Sequence, residues 1–226
     1  MRNGPAIATI ASLIGDPARA SMLSALMGGH ELTATELARE GGVTAPTASG
    51  HLGRLLDGGL VLATQRGRHR YYRLASPAIA DLLETLMSIA VRPGPVRTRP
   101  GPRDADLRRA RVCYDHLAGE EGLRLADGMV ASGWLASPDQ SFALTPVGRS
   151  ALLARGIDMA ALETARRPLC RACMDWSERR PHLGGALGAA LLGRFIAEGW
   201  LRRSEGSRAL AVTRNGMASL RRFVES

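Results

Sequence analysis

The chain has 226 residues, 45% of them hydrophobic, and 30 basic residues, all arginine, against 21 acids, for a formal net charge of +9. That length and composition suffice for one large or two small hydrophobic cores. No apolar run reaches the roughly 18 residues of a membrane-spanning helix, and the N-terminus lacks a charged-then-apolar leader, so a cytoplasmic protein with no membrane partner is expected. The positive balance suits a polyanion, but it is uneven. Residues 1–91 hold eight arginines and seven acids, residues 92–103 four arginines and no acid, and residues 104–226 eighteen arginines and fourteen acids.

In chain order, the first informative stretch runs from Thr33 to Leu74. Thr35 is placed to cap a short helix, Glu36-Leu37-Ala38-Arg39-Glu40, which Gly41-Gly42 stops by supplying a left-handed turn. Thr44 is a second cap, and Pro46, with its preset φ, fits the first turn of the helix that follows. Val43, Ala48, Leu52 and Leu55 keep the spacing of a buried stripe, leaving Ala45, Thr47, Ser49, Gly50, His51 and Arg54 on the solvent side. Leu60-Val61-Leu62-Ala63-Thr64 and Tyr71-Tyr72-Arg73-Leu74 read as paired strands, with Arg66, Arg68 and Arg70 on the loop between them. Helix, turn, helix and arginine-rich hairpin in that order form a winged helix-turn-helix. The helix led by Thr44 would enter the major groove of an operator and the wing would hold phosphates.

Residues 7–91 resemble the ArsR/SmtB-type repressors. The resemblance is carried by Leu13-Ile14-Gly15-Asp16-Pro17-Ala18-Arg19, Ala48-Ser49-Gly50-His51-Leu52-Gly53-Arg54-Leu55 and Gly58-Gly59-Leu60-Val61. It implies a homodimeric winged helix that binds its operator in the apo form and releases it when a metal, metalloid, oxidant or other signal arrives. The positions at which that family usually senses are absent. Glu36 to Glu40 contain no cysteine pair, and the last helix of the domain, residues 77–91, has only Asp81 and Glu84 and no histidine. Sensing is therefore expected elsewhere in the chain.

Residues 92–103 hold four prolines, two glycines and four arginines with only Val96 to bury, the composition of an extended linker. Beyond it lies a repeat. His116-Leu117-Ala118-Gly119 recurs as His182-Leu183-Gly184-Gly185 and Gly133-Trp134-Leu135 as Gly199-Trp200-Leu201, both 66 residues on. Leu144-Thr145-Pro146-Val147-Gly148 recurs as Val212-Thr213-Arg214-Asn215-Gly216 at an offset of 68. Each unit should run from a helix that starts near the histidine, through Gly-Trp-Leu and a short hairpin, to a closing helix capped by the threonine. The expected architecture is mainly α with small β-wings. It comprises a winged helix-turn-helix domain (1–91), a linker (92–103) and a domain of two degenerate winged-helix-like repeats, about 113–155 and 179–224, that senses or dimerises (104–226).

All three cysteines fall in that second half. Cys113-Tyr114-Asp115-His116 is a C-x2-H and Cys170-Arg171-Ala172-Cys173 a C-x2-C, each just before its repeat's first helix. Side chains at i and i+3 point the same way from a turn or helix end, so Cys113, His116, Cys170 and Cys173, with His182 close behind, are candidate ligands for zinc or another thiophilic metal or metalloid. A thiol redox switch and inert buried thiols are the competing readings, and His116 and His182 have a plainer role in satisfying backbone at two helix starts. Asp175 and Glu178 read as a capping box for a helix after Trp176. No phosphate loop, nucleophile elbow or pair of catalytic carboxylates is present, so no enzyme is expected. The expected function is a dimeric repressor released from double-stranded DNA by a small inducer or ion. The alternative is a constitutive DNA-binding protein whose second half holds a structural zinc or a redox switch.

Overall fold

The computed structural model describes residues 7–90, 104–204 and 207–225. The expected linker, 92–103, lies outside them. Packing divides the chain into two compact units, Met1–Leu83 and Glu84–Ser226.

In the first unit, α1 (Ile7–Ile14) and α2 (Pro17–Leu26) meet at a corner built by Asp16 and Arg19. The Asp16 carboxylate accepts from the Arg19 amide at the start of α2, and the buried Arg19 guanidinium donates to the carbonyls of Leu13 and Ser12 at 2.6 and 2.7 Å. It thereby satisfies the C-terminal carbonyls that α1 leaves open. Strand β1 (Leu32–Thr33) leads into α3 (Ala34–Glu40). The cap of α3 is Thr33, not Thr35: the hydroxyl of Thr33 accepts from the Glu36 amide while the Glu36 carboxylate accepts from the Thr33 amide, a reciprocal box two residues earlier than expected. Gly42, at φ +62°, turns the chain into α4 (Ala45–Asp57), capped by Thr44 with Pro46 in its first turn. Strands β2 (Val61–Arg66) and β3 (His69–Leu74) pair antiparallel from Val61↔Leu74 to Arg66↔His69, and β1 adds to the free side of β3. The core is Met22, Leu23, Leu26, Leu37, Ala48, Leu52, Leu55, Val61 and Leu74. Helix α5 (Pro77–Ala90) runs across the division between the units.

Beyond α5, the second unit continues with α6 (Ala105–Arg109) and then states the same theme twice. First come the hairpin β4 (Arg111–Cys113) and β5 (His116–Ala118), α7 (Glu120–Ala131), the hairpin β6 (Leu135–Ala136) and β7 (Ala143–Leu144), and α8 (Pro146–Ala154). After α9 (Met159–Glu163) come β8 (Arg171–Met174) and β9 (Pro181–Gly184), α10 (Gly185–Ala197), β10 (Leu201–Arg203) and β11 (Leu210–Val212), and α11 (Arg214–Val224). Equivalent residues do equivalent work. Thr145 and Thr213 cap the closing helices, and their hydroxyls reach back to the carbonyls of Trp134 and Trp200. A Cβ on Gly148 or Gly216 would strike those same two carbonyls, so the helix can approach the tryptophan only where glycine stands.

Each repeat is thus hairpin, helix, hairpin, helix. Where a helix near the histidine is expected, the leading element is a hairpin that holds the histidine in a strand; α7 starts just after Gly119 and α10 at Gly185, both at φ +82°. No helix follows Trp176; Asp175 turns the chain inside the β8–β9 loop instead. The repeats are exchanged at their cores, since α10 packs on β5 and α7 on β9. One hydrophobic core, including Met129, Trp134, Leu187, Phe195, Leu210 and Phe223, serves both.

Candidate metal centre and DNA-facing surface

In a strand, side chains alternate between faces, and residues directly opposite on the paired strand share one. Cys113 stands opposite His116 across the β4–β5 hairpin, and Cys173 opposite His182 across β8–β9. Each hairpin therefore offers one thiol and one imidazole on a common face, and the docking of β5 beside β9 turns the two faces together. The four side chains are 2%, 6%, 7% and 0% exposed for Cys113, His116, Cys173 and His182. One ligand atom from each lies within 4.8 Å of all the others.

The geometry fits a tetrahedral ion. Bonds of about 2.3 Å to sulfur and about 2.0 Å to nitrogen put two thiolates about 3.8 Å apart and two imidazole nitrogens about 3.3 Å apart; here the Sγ atoms are 3.8 Å and the Nε2 atoms 3.1 Å apart. The sulfurs are unbonded, a disulfide requiring about 2.05 Å. Both imidazoles turn Nε2 inward, so their Nδ1 atoms face outward to carboxylates. Asp115 Oδ1 lies 3.1 Å from His116 Nδ1, and Asp175 Oδ2 lies 3.7 Å from His182 Nδ1, which has no hydrogen-bond partner among the described residues. A carboxylate behind a ligating histidine fixes its tautomer and raises its basicity.

The two carboxylates are held from across the pseudo-symmetry. Asp115 pairs with Arg167, which also donates to the Gly185 carbonyl at 2.8 Å. Asp175 is fully buried and accepts from Arg111 at 2.7 Å, from the hydroxyl of Ser177 at 2.7 Å and from the amides of Gly119, Ser177 and Glu178. The buried Arg111 guanidinium also donates to Ser177 and Leu107 and lies 5.0 Å over the Trp176 ring.

Electrostatics prepares one thiolate. Hydrogen bonding with Cys113 holds the Cys173 thiol far below its ordinary range against the cost of burial, and His116 and His182 act in the same direction. Burial pushes the Cys113 thiol well above its range, as do the Cys173 sulfur and the Glu84 carboxylate. Burial alone would lower His116, but Asp115 and the Cys173 sulfur outweigh it and raise the imidazole to about 9. Burial would likewise raise Asp175, yet Arg111 and His182 hold it well below the usual carboxylate range.

Of the five expected ligands, Cys113, His116, Cys173 and His182 converge and Cys170 does not. The i, i+3 argument fails because Arg171–Met174 is a strand, in which residues three apart point to opposite faces. Cys170 instead packs against the main hydrophobic core, hydrogen-bonds the Leu144 backbone and has its thiol raised to about 11 by burial. With His182 in the cluster, the four positions are filled without Cys170, the first cysteine of the C-x2-C. Glu84 was not singled out as a site residue; its burial beside Cys113 has no signal in the local sequence.

In the first unit, Thr44, Ala45, Thr47, Ser49, Gly50 and Arg54 are exposed along α4. His51 is half-buried, with Nδ1 3.2 Å from Arg19, and so serves the α1–α2 corner. The strands extend further than expected, to Arg66 and His69, leaving Gly67-Arg68 as the turn. Arg66 pairs with Glu31 at 2.6 Å and stands over Tyr71, and Arg70 stands over Tyr72, while Arg68 is exposed at the tip.

A family described as a helix-turn-helix domain matches residues 14–62. The HTH-type transcriptional regulator YdfF of Bacillus subtilis (strain 168) is 41% identical over 212 residues, covering 94% of this chain and 94% of that protein. The "Probable mercury resistance operon repressor" of Streptomyces lividans is 34% identical over 107 residues, covering 47% of this chain and 74% of that protein. Among solved structures, the homodimeric winged helix-turn-helix DNA-binding domain of Mb0332 from Mycobacterium bovis is 30% identical over 37% of this chain and 77% of that one, with a TM-score of 0.35. Among the described residues, no helix is long and apolar enough to cross a membrane.

Proposed function

Since the chain belongs to the HTH-type transcriptional regulators, we propose that it is a dimeric repressor of the cytoplasm that leaves its operator when a thiophilic divalent ion binds Cys113, His116, Cys173 and His182. The observation that carries this reading is the convergence of four buried ligand atoms within 4.8 Å, drawn from two repeats 60 and 66 residues apart in sequence. Two thiolates and two neutral imidazoles around a divalent cation leave no net charge in the burial site, and the sulfur–nitrogen set selects zinc, cadmium or mercury over harder ions. The relative named for mercury resistance supports a soft ion of this kind. The operator is read by Thr44, Ala45, Thr47, Ser49, Gly50 and Arg54 on α4, with Arg68 and Arg70 of the wing on phosphates and His51 and Arg66 helping to hold that surface in place. Helix α1, apolar yet without one buried residue, and the exposed Leu82, Leu86 and Ile89 of α5 supply faces for a second copy.

A second reading is favoured by the closure of the site: four protein ligands, all buried, is the arrangement of a structural zinc, whose binding energy is folding energy. Metal analysis of the purified chain, then operator binding with and without ion in wild type and Cys173→Ser, separates the two. A sensor predicts that ion lowers wild-type operator affinity, and that Cys173→Ser loses the ion and the response but keeps apo affinity. A structural site predicts that Cys173→Ser and chelation both lower the melting temperature and damage DNA binding.

A further inference from the structure

The closing hairpin and helix of the two repeats share a fold but not a surface. From Gly133 to Arg155 the first repeat holds two arginines and one acid; from Gly199 to Phe223 the second holds six arginines and one acid. Both arginines of the first are used inside the unit. Arg149 pairs with Glu163 at 2.8 Å, and Arg155 donates to the Phe223 carbonyl at 3.0 Å and stands over the Trp134 ring. In the second repeat, Arg202 on β10 and Arg214, Arg221 and Arg222 on α11 are exposed, with no hydrogen-bond or ion-pair partner among the described residues. The equivalent positions of the first repeat, also exposed, are Ala136, Pro146, Leu153 and Ala154.

The fold does not require these charges. Gly216, Leu220 and Phe223 bury one side of α11, and at 3.6 residues per turn Arg214, Ala218 and Arg221 lie on the opposite side with Arg222 beside them. The helix dipole favours cations in the last turn, which accounts for Arg221 and Arg222. It disfavours a cation in the first turn, where Arg214 directly follows the Thr213 cap and the first repeat has Pro146. Like charges on one hairpin and helix also repel one another, so the set is held against a cost to folding.

We infer that α11 and the β10–β11 hairpin form a second DNA-binding surface, which holds phosphates of the duplex outside the bases read by α4 through Arg202, Arg214, Arg221 and Arg222. The planar guanidinium donates two parallel hydrogen bonds to a phosphate, and duplex DNA offers one negative charge per about 1.7 Å of axis. Contacts of this kind position a protein without reading sequence. A regulator bound at its operator keeps its second unit near the same duplex by covalent connection, so even a weak surface is engaged. A protein partner suits the face less well. Protein interfaces keep charge to the rim of an apolar centre, whereas here the arginines hold the middle of the exposed face and Met217, 37% exposed, is the one large apolar side chain of α11 beside them. The surface goes beyond the operator reading proposed above and does not depend on the metal centre.

The test uses the full chain and a random-sequence duplex of about four helical turns, about 40 base pairs, with affinity measured across a salt series. The variant with Arg202→Gln, Arg214→Gln, Arg221→Gln and Arg222→Gln should bind more weakly than wild type. Its log K should fall less steeply with log salt, by up to about 0.9 for each of the four phosphates per chain. Added to Arg68→Ala with Arg70→Ala, the loss of slope should be the sum of the two. Arg166→Gln removes one exposed charge between α9 and β8 and should leave the slope as it is. Arg214→Glu separates contact from folding: an acid in the first turn suits the helix dipole, so the melting temperature should not fall while affinity and slope do. An unchanged slope in the four-site variant overturns the inference and leaves the face to an acidic protein partner. A loss of slope from Arg166→Gln equal to that from Arg214→Gln overturns it too, since net charge would then be the cause. If the four-site variant melts early, Arg214→Glu decides, and wild-type DNA binding in that protein refutes the surface.

Discussion

Asp115 and Asp175 hold corresponding places behind the two histidines, and isosteric neutralisation of each should give opposite outcomes. Asp175 is fully buried against the equally buried Arg111. Its Oδ1 accepts from Arg111, Ser177 and Glu178, and its Oδ2 from the Gly119 amide. An asparagine keeps one oxygen, turns an NH2 group toward a donor and leaves the Arg111 charge without a counter-ion. Removing one partner of a buried pair costs about 3–5 kcal/mol. In a unit of this size that corresponds to a fall in melting temperature on the order of 10 °C. Asp115 is half-buried and its partner Arg167 reaches solvent, so Asp115→Asn should leave stability nearly unchanged. Its Oδ1 still accepts from His116 Nδ1, and what is lost is the charge that makes the imidazole a better ligand. Outer-shell losses of this kind lower metal affinity about 10- to 100-fold, and retention of the hydrogen bond places this one near tenfold. Calorimetry on chelator-treated protein reads the first effect and Co2+ titration the second. Equal melting temperatures for Asp175→Asn and wild type, without ion, would refute the reasoning about the Arg111 pair. An unchanged Co2+ affinity in Asp115→Asn would refute the role given to its charge.

Cys170→Ser should bind one ion with wild-type stoichiometry while Cys173→Ser binds none; loss of the ion from Cys170→Ser in a folded protein would return Cys170 to the ligand set. Arg68→Ala combined with Arg70→Ala should weaken binding to all DNA sequences and flatten the dependence of log K on log salt by up to about two phosphate contacts. An unchanged salt slope would take the wing off the DNA. Ile89, 70% exposed on α5, should be covered by the second copy, so Ile89→Glu in the full chain should shift sedimentation toward monomer and weaken operator binding with it. A dimer of undiminished stability would move the interface elsewhere.

The parts of this protein that depend on a few consecutive residues could be read directly from them. The Thr44 cap with Pro46, the stop at Gly41-Gly42, the buried spacing of Ala48, Leu52 and Leu55 and the arginine-bearing hairpin are local consequences of φ preference, capping and apolar period. The Gly-Trp and Thr–Gly pairs of the repeat were legible for the same reason: each is a contact between a helix start and a carbonyl within 14 residues of it. The candidate metal centre was half-legible. Its hairpin pairs lie near one another in sequence, but choosing His182 over Cys170 required knowing that residues 171–174 are a strand and not a turn or helix end, because that choice decides which residues share a face. Only the tertiary structure could bring Cys113 to Cys173, since the docking of the two hairpins is set by helices packing on each other's repeats. The same holds for Glu84, a residue from the end of one expected domain placed against a cysteine of the next. Local sequence specifies the donors each hairpin presents; the exchanged core specifies that they meet.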